Sequence, residues 1–313
     1  MVIRVAFQMD HIGSVDIAGD STFKLALEAQ KKGFELFHYT PEDLVYAQGF
    51  IRAKARHLEV KNQKLDHYSL GPELSLDLSE VDVVWLRQDP PFDMSYILTT
   101  HLLERLMPNT LVVNDPFWVR NLPEKLMVLN YPDLIPHTLI SRDIKAIHEF
   151  RQLHGDVILK PLFGNGGAGI FRIKQGDNNL NSLCEMFFQN SREPVIVQEY
   201  LPAIVNGDKR VILVDGKPIG AINRIPPKGE NRSNLHVGGQ AFKVELTERD
   251  YEISSRVGKD LSNKGLIFAG IDIIGDKLTE INVTSPTGIV ELEKFDNTNA
   301  AGLIWDVIQA KIS

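Results

Sequence analysis

The chain has 313 residues, 43% of them hydrophobic, which is enough to bury a large core without staples and excludes disorder and low-complexity fibres. With 34 Lys and Arg against 41 Asp and Glu the formal charge is −7, and no basic run could grip a phosphate backbone, so nucleic acid is not an expected partner. The single cysteine, Cys184, excludes an intramolecular disulfide and a C-x-x-C metal site and suits a reducing compartment, so a cytoplasmic protein is expected.

Val2 to Met9 is interrupted by Arg4 and Gln8 and reads as a buried strand, not a signal peptide. No other stretch approaches the length of a membrane span, so no membrane partner is expected. Asp20 offers an N-cap for a helix to Lys32, with Gly33 as its stop, and Phe34 to Tyr39 returns as a strand. Val81 to Arg87 is a further strand, which Gln88-Asp-Pro-Pro91 must turn at its carboxyl end, where open α/β sheets bind ligands. A helix from about Asp93 to Met107 and the strand Thr110 to Asn114 complete a parallel-sheet α/β domain, residues 1–122.

Beyond it the pattern changes from crossovers to hairpins. Val157–Lys160, Ile170–Lys174, Val195–Tyr200, Arg210–Val214, Ile219–Ile225, Ile267–Ile274 and Leu278–Val283 read as strands of an α+β module with antiparallel sheets. A last helix, Thr298 to Lys311, is expected to be capped by Asn297 or Thr298.

Gly164-Asn-Gly-Gly-Ala-Gly169 matches G-x-G-x-x-G, the dinucleotide fingerprint, but the alternating Ile170-Phe-Arg-Ile-Lys that follows is a strand, not the helix that fingerprint requires. The loop joins a hairpin, either as a plain glycine turn or as a backbone cover for phosphates. Lys160, four residues ahead, either snorkels to water or meets such a phosphate.

The strongest constellation is Asp272, Glu280 and Asn282. A three-residue loop, Gly275 to Lys277, sets Asp272 opposite Glu280 with Asn282 further along the same face, whereas a two-residue loop breaks that alignment. Facing carboxylates call for a cation between them, and an all-oxygen set suits a hard ion such as Mg²⁺; an exposed polar face is the plain alternative. Asp208, Arg210 and Arg224 either bridge substrate charge or decorate solvated strand ends. The long segment Ile225–Ala241, with Lys228 and Arg232, has the composition of a lid over anionic ligands, mobile without them. The nine histidines, His236 in this segment among them, show no metal-ligand spacing.

Lys125, Lys160, the glycine loop, Gln198-Glu-Tyr-Leu201, Asp208-Lys-Arg210 and the Asp272, Glu280, Asn282 trio together resemble the ATP-grasp ligases. More narrowly, Arg87-Gln-Asp-Pro-Pro-Phe-Asp93, Gly207-Asp-Lys-Arg-Val211, Asp272-Ile-Ile-Gly-Asp276 and Thr279 to Thr287 resemble the bacterial glutathione synthetase family over essentially the whole chain. The resemblance implies a two-lobed ATP-grasp module after the first domain, with lobes at 123–197 and 198–313. It implies ATP-dependent joining of γ-glutamylcysteine and glycine through an acyl phosphate, in a homo-oligomer, a tetramer.

By the same resemblance Gln198, Glu199, Tyr200 and Leu201 hold adenine. Lys125, Lys160, Gly164, Gly166 and Gly167 hold phosphates, and Asp208 belongs to the nucleotide site. Asp272, Glu280 and Asn282 bind Mg²⁺ or Mn²⁺, and Arg210 acts on the transferring group beside Lys160 and Asp208. Arg87, Asp89, Arg224, Arg232, Ser285 and Thr287 meet the peptide substrates. Another ATP-grasp carboxylate–amine ligase remains an alternative, and a non-catalytic nucleotide-binding regulator would be expected to lack a metal ligand.

Overall fold

The computed structural model describes residues 2–164, 166–230, 232–234 and 238–313. Its elements in chain order begin with β1 (Arg4–Gln8), α1 (Ser21–Lys31), β2 (Glu35–Tyr39), β3 (Leu44–Ala47), β4 (Phe50–Val60), β5 (Tyr68–Asp77), β6 (Val83–Leu86), α2 (Met94–Glu104), β7 (Leu111–Val113), α3 (Pro116–Asn121) and α4 (Glu124–Met127). They continue with β8 (Thr138–Ser141), α5 (Ile144–His154), β9 (Val157–Pro161), β10 (Phe171–Ile173), α6 (Leu180–Asn190) and β11 (Val195–Glu199). The last group is β12 (Asp208–Val214), β13 (Lys217–Ile225), β14 (Gln240–Lys243), α7 (Glu248–Asn263), β15 (Phe268–Ile274), β16 (Lys277–Asn282), α8 (Ile289–Asp296) and α9 (Ala300–Ile312).

The first sheet runs β3-β4-β2-β1-β6-β7, with β5 also paired to β4. Its β2, β1, β6 and β7 are parallel. Val5, Ala6, Phe7 and Gln8 of β1 are all buried, as a strand covered on both faces requires. The antiparallel strands β3 to β5 extend this parallel core beyond the sequence expectation. Their signal is a period of two in which small residues, Ala53 and Ala55, take the buried positions between Arg52, Lys54 and Arg56.

The second sheet, β10-β9-β11-β8, is antiparallel and packs α5 and α6 around Ile147, Leu159, Cys184 and Val197. The third, β14-β13-β12-β15-β16, is also antiparallel and shares its cores with the first. Val211, Leu213 and Ile271 pack with α7 and with Ala6 and Val84, while Ile212 and Phe268 on the opposite face join Phe7 and Trp305. Asn114 ties the two sheets by donating to the carbonyls of Phe268 and Val283, each at 2.7 Å. The first parallel domain therefore forms one wall of whatever the third sheet binds.

Asp20 caps α1 through Phe23 N–H at 2.6 Å, as the sequence suggests. The last helix is capped instead by Asn299, whose side chain accepts from Gly302 N–H at 2.9 Å, because Asn297 takes a left-handed conformation at the end of α8. Among the described residues no helix is long and apolar enough to cross a membrane.

Candidate active site

The charged face of the third sheet follows from strand register. Arg210 on β12 pairs with Asp272 on β15, and Asp272 pairs with Glu280 on β16, so three ionisable side chains form one row on one face. The β15–β16 turn is the two-residue kind, with Ile274 opposite Lys277 and Ile273 opposite Leu278. A bulge at Thr279 then restores the pairing of Asp272 with Glu280. The expected alignment is present, but the bulge, not a longer loop, produces it.

Side-chain cations answer the carboxylates. Arg210 grips Asp272 with two donors, Nε to Oδ1 at 2.5 Å and Nη2 to Oδ2 at 2.9 Å. Arg224 reaches Asp208 at 2.6 Å and Asp272 at 3.0 Å. Burial would raise the Asp272 carboxyl, but Arg210 and Arg224 outweigh it and hold the group well below the usual carboxylate range. Burial dominates at Asp208, which is pushed up to about 6 against the pull of Arg224. Asp208 Oδ1 and Arg224 Nε are buried and have no hydrogen-bond partner among the described residues.

Glu280 lies 3.3 Å from Lys125 Nζ and 3.9 Å from Lys160 Nζ. Burial opposes ionisation of Glu280, yet the two lysines keep its carboxyl below its ordinary value. Lys160 is lowered by burial, with Glu280 countering. Lys125 is raised because Glu280 and Glu124 outweigh its burial, and it also donates to the carbonyl of Gly164. Lys160 is buried, so the snorkelling alternative fails.

The glycine loop joins the antiparallel pair β9 and β10, as expected, and Gly166 and Gly167 have φ of 58° and 83°. A Cβ on Gly167 would meet Asn234 Oδ1 at 2.7 Å, so the loop and the Ile225–Ala241 segment touch. Two of that segment's described residues, Ser233 and Asn234, touch the site in this structure. Ser233 is buried and donates to Asp208 at 2.8 Å, and Arg232 pairs with Glu230 at 2.6 Å. Within it Asn231, Leu235, His236 and Val237 lie outside the described residues, as does Asn165 of the glycine loop.

At one end of the cavity Gln198 donates to Thr138 at 3.0 Å, and the Arg172 guanidinium lies 3.6 Å from the centre of the Tyr200 ring. At the other, Arg87 is buried, donating to Thr22 at 2.9 Å and to the carbonyl of Pro286 at 3.0 Å, while Ser285 bonds the carbonyl of Gln88 at 2.9 Å. Phe92 of the Pro-Pro turn stacks on Phe163 beside the glycine loop, ring centres 6.0 Å apart.

One cavity of about 1150 Å³ is lined by Arg87, Asp89, Lys125, Lys160, Gly164, Gly166, Gly167 and Gln198 to Leu201. The same wall carries Asp208, Arg210, Arg224, Arg232, Asp272, Glu280, Asn282, Ser285 and Thr287. The sequence-nominated site residues therefore converge, while Lys228, proposed for the lid, is not in the described wall. Sequence reasoning missed Glu124, whose carboxyl is raised by burial and by the charge of Glu280 and which bonds Thr284. It also missed Gly270, where a Cβ would meet the Arg210 side chain at 2.7 Å. Glu124 sits beside Lys125 in a short helix with little periodic signal, but the strand glycine was readable as a point of close approach.

Residues 3–120 match the family described as prokaryotic glutathione synthetase, N-terminal domain, and residues 124–297 match its ATP-grasp domain. The chain belongs to the prokaryotic glutathione synthetase family. A glutathione synthetase of Brucella melitensis biotype 1 is 57% identical over 311 residues, covering 99% of this chain and 100% of the relative. That of Escherichia coli (strain K12) is 44% identical, covering 99% of each. Among solved structures, D-cycloserine synthetase DcsG matches with a TM-score of 0.69 at 14% identity, covering 99% of this chain and 100% of that one. The ATP-grasp ligase PsnB in complex with its minimal precursor gives 0.65 at 18%, with full coverage of both. These two likenesses concern the fold alone.

Proposed function

We propose that the protein joins γ-glutamylcysteine and glycine to glutathione at the expense of ATP, releasing ADP and phosphate. The observation that carries this reading is the one cavity in which Lys125, Lys160, Arg210 and Arg224 converge on the Asp208, Asp272 and Glu280 carboxylates, in a chain of the glutathione synthetase family. A carboxylate is a poor electrophile until phosphorylated, and phosphoryl transfer asks for positioning and charge neutralisation more than for a protein nucleophile. The cysteinyl carboxylate of the dipeptide attacks the γ-phosphorus of ATP and ADP leaves. The glycine amine then attacks the acyl carbon and phosphate leaves.

In this reading Gln198 to Leu201 hold the adenine, and Lys125, Lys160 and the amides around Gly164, Gly166 and Gly167 hold the phosphates. Arg210, Lys160 and Asp208 order the transferring group, with Arg210 opposing its charge. Arg87, Asp89, Arg224, Arg232, Ser285 and Thr287 hold the peptide end. Residues 1–122 then bring Arg87 and Asp89 to the peptide end, 123–197 supply the phosphate cover, and 198–313 supply the reacting face and the remaining peptide contacts.

The two carboxylates and the amide of Asp272, Glu280 and Asn282 share one hairpin face and offer only oxygen ligands to a cation, a set that fits a hard divalent ion. Mg²⁺, with Mn²⁺ as a substitute, would be held there and would supply neutralisation of phosphate charge. In this reading Arg210, Lys125 and Lys160, which pair with these carboxylates in this structure, turn to the triphosphate when it enters.

The test is ADP release with γ-glutamylcysteine present, with and without glycine. Peptide formation that requires both is expected. ADP release that ignores the dipeptide, or that answers to a different peptide or amino acid, would assign another carboxylate–amine ligation to the same cavity.

A further inference from the structure

His137, ahead of β8, His154, the last residue of α5, and Glu199, the last of β11, come from separate elements, yet one ligand atom of each lies within 4.8 Å of the others. Backbone bonds fix this meeting: Glu199 N–H donates to the His137 carbonyl at 3.0 Å, and Tyr200 N–H donates to the Asp156 carbonyl at 3.0 Å just beyond α5. The two imidazoles stack with ring centres 4.4 Å apart, and Phe150 packs on His154 at the same spacing. None of the three side chains has a hydrogen bond or ion pair among the described residues.

We propose that His137, His154 and Glu199 form a binding site for a borderline divalent transition ion of the zinc class, separate from the Asp272, Glu280 and Asn282 trio. Two imidazole nitrogens and one carboxylate oxygen are a set that zinc takes with its fourth position left to water. Tetrahedral bonds of about 2.0–2.1 Å hold ligand atoms roughly 3.4 Å apart. His137 is exposed and the other two are half-buried, so side-chain rotation supplies the remaining contraction.

The nitrogen ligands also set the selectivity. Imidazole suits zinc, copper and nickel, whereas the all-oxygen trio suits magnesium, so the two sites take different ions from one solution. Glu199 lines the large cavity as well, which puts this ion at the outer wall beside Gln198 and Tyr200. The inference stands on the geometry of these three residues and not on the nucleotide reading, although the two share Glu199.

The full-length protein would be titrated with Zn²⁺, and with Co²⁺ followed by its visible absorption, in an excess of Mg²⁺ and without nucleotide. One equivalent is expected to bind, with Zn²⁺ displacing Co²⁺ and Mg²⁺ displacing neither. His154→Ala and His137→Ala should each weaken binding by about tenfold or more, the scale on which disturbing a metal ligand acts. Glu280→Gln should leave it unchanged, and circular dichroism checks that each variant is folded. Equal Zn²⁺ affinity in the His137→Ala/His154→Ala double variant would overturn the site. Loss of Zn²⁺ in Glu280→Gln would overturn it too, by moving the ion to the trio, while ADP release separately decides the proposed function.

Discussion

Asp272 faces Glu280 across the β15–β16 ladder because Thr279 is bulged out between them, its hydroxyl donating to the carbonyl of Asp272 at 3.1 Å. The bulge lets a tight two-residue turn coexist with a row of charges on one face, and that row has consequences for both stability and turnover.

Asp272→Asn should reduce both. It leaves Arg210 and Arg224 buried beside a neutral amide, and breaking a buried pair from one side costs about 3–5 kcal/mol. Turnover should fall on the order of 10²-fold or more, the scale of losing one preorganised electrostatic group. Adding Arg210→Met should recover melting temperature without recovering ADP release. Thermal denaturation of the single and double variants checks this, and a single variant as stable as the wild type would mean that the pair contributes nothing to folding.

How far the sequence anticipates this site depends on whether its parts are local. The Asp272–Glu280 pairing follows from hairpin periodicity, although the turn that sets it is shorter than expected. Gly164 to Gly169 falls correctly between two strands because Ile170-Phe-Arg-Ile alternates. What escaped is non-local. The Ser233 bond to Asp208, the Arg172 cover on Tyr200 and the meeting of His137 with His154 join segments that no spacing rule connects. The antiparallel strands β3 to β5 escaped for another reason, since alanines at buried positions carry a weak apolar signal.

In the glycine loop, Gly166 and Gly167 separate two effects. A Cβ on Gly166 meets nothing within 4 Å, whereas one on Gly167 strikes Asn234 Oδ1 at 2.7 Å. Gly166→Ala strains only the loop backbone, so it should raise the KM for ATP modestly. Gly167→Ala should raise it further, and Asn234→Ala should relieve part of that excess. Melting temperatures should change little, because a surface hairpin loop adds little to the core. Equal effects from both alanines would argue against a contact between loop and lid.

His38 predicts a dependence on acid. Burial lowers its pKa, helped by the charge of His11 and opposed by the Asp10 carbonyl and Asp43. The unfolded chain therefore takes up its proton at a higher pH than the folded one. Stability from this group is full above the unfolded value near 6.5 and falls as pH drops toward the lower folded value, by at most about 1.4 kcal/mol per unit. Its Nε2 lies 3.3 Å from Ile12 N, in the loop whose Asp10, Ser14 and Asp16 line the cavity. His38→Gln should flatten the fall in melting temperature between neutrality and mild acid, and an unchanged slope would remove His38 from the account.

The segment Ile225–Ala241 gives the last prediction. Its Ser233 bonds Asp208, and its Asn234 lies against Gly167, so it spans from the charged row to the glycine loop. An acyl phosphate is lost to water unless the cavity is closed while glycine attacks, and a strap in this place can exclude that water. Replacing residues 227–239 by a short glycine linker should then raise the ratio of ADP released to peptide formed above one. Binding of ATP should change far less, because Lys125, Lys160 and Gln198 to Leu201 lie on other elements. Ser233→Ala is the milder form: it frees Asp208 of one donor without opening the strap, so it should alter the rate while the ratio stays at one. Parallel assays of ADP and glutathione decide it, and a linker variant that still makes one peptide per ADP would reduce the segment to a connection between β13 and β14.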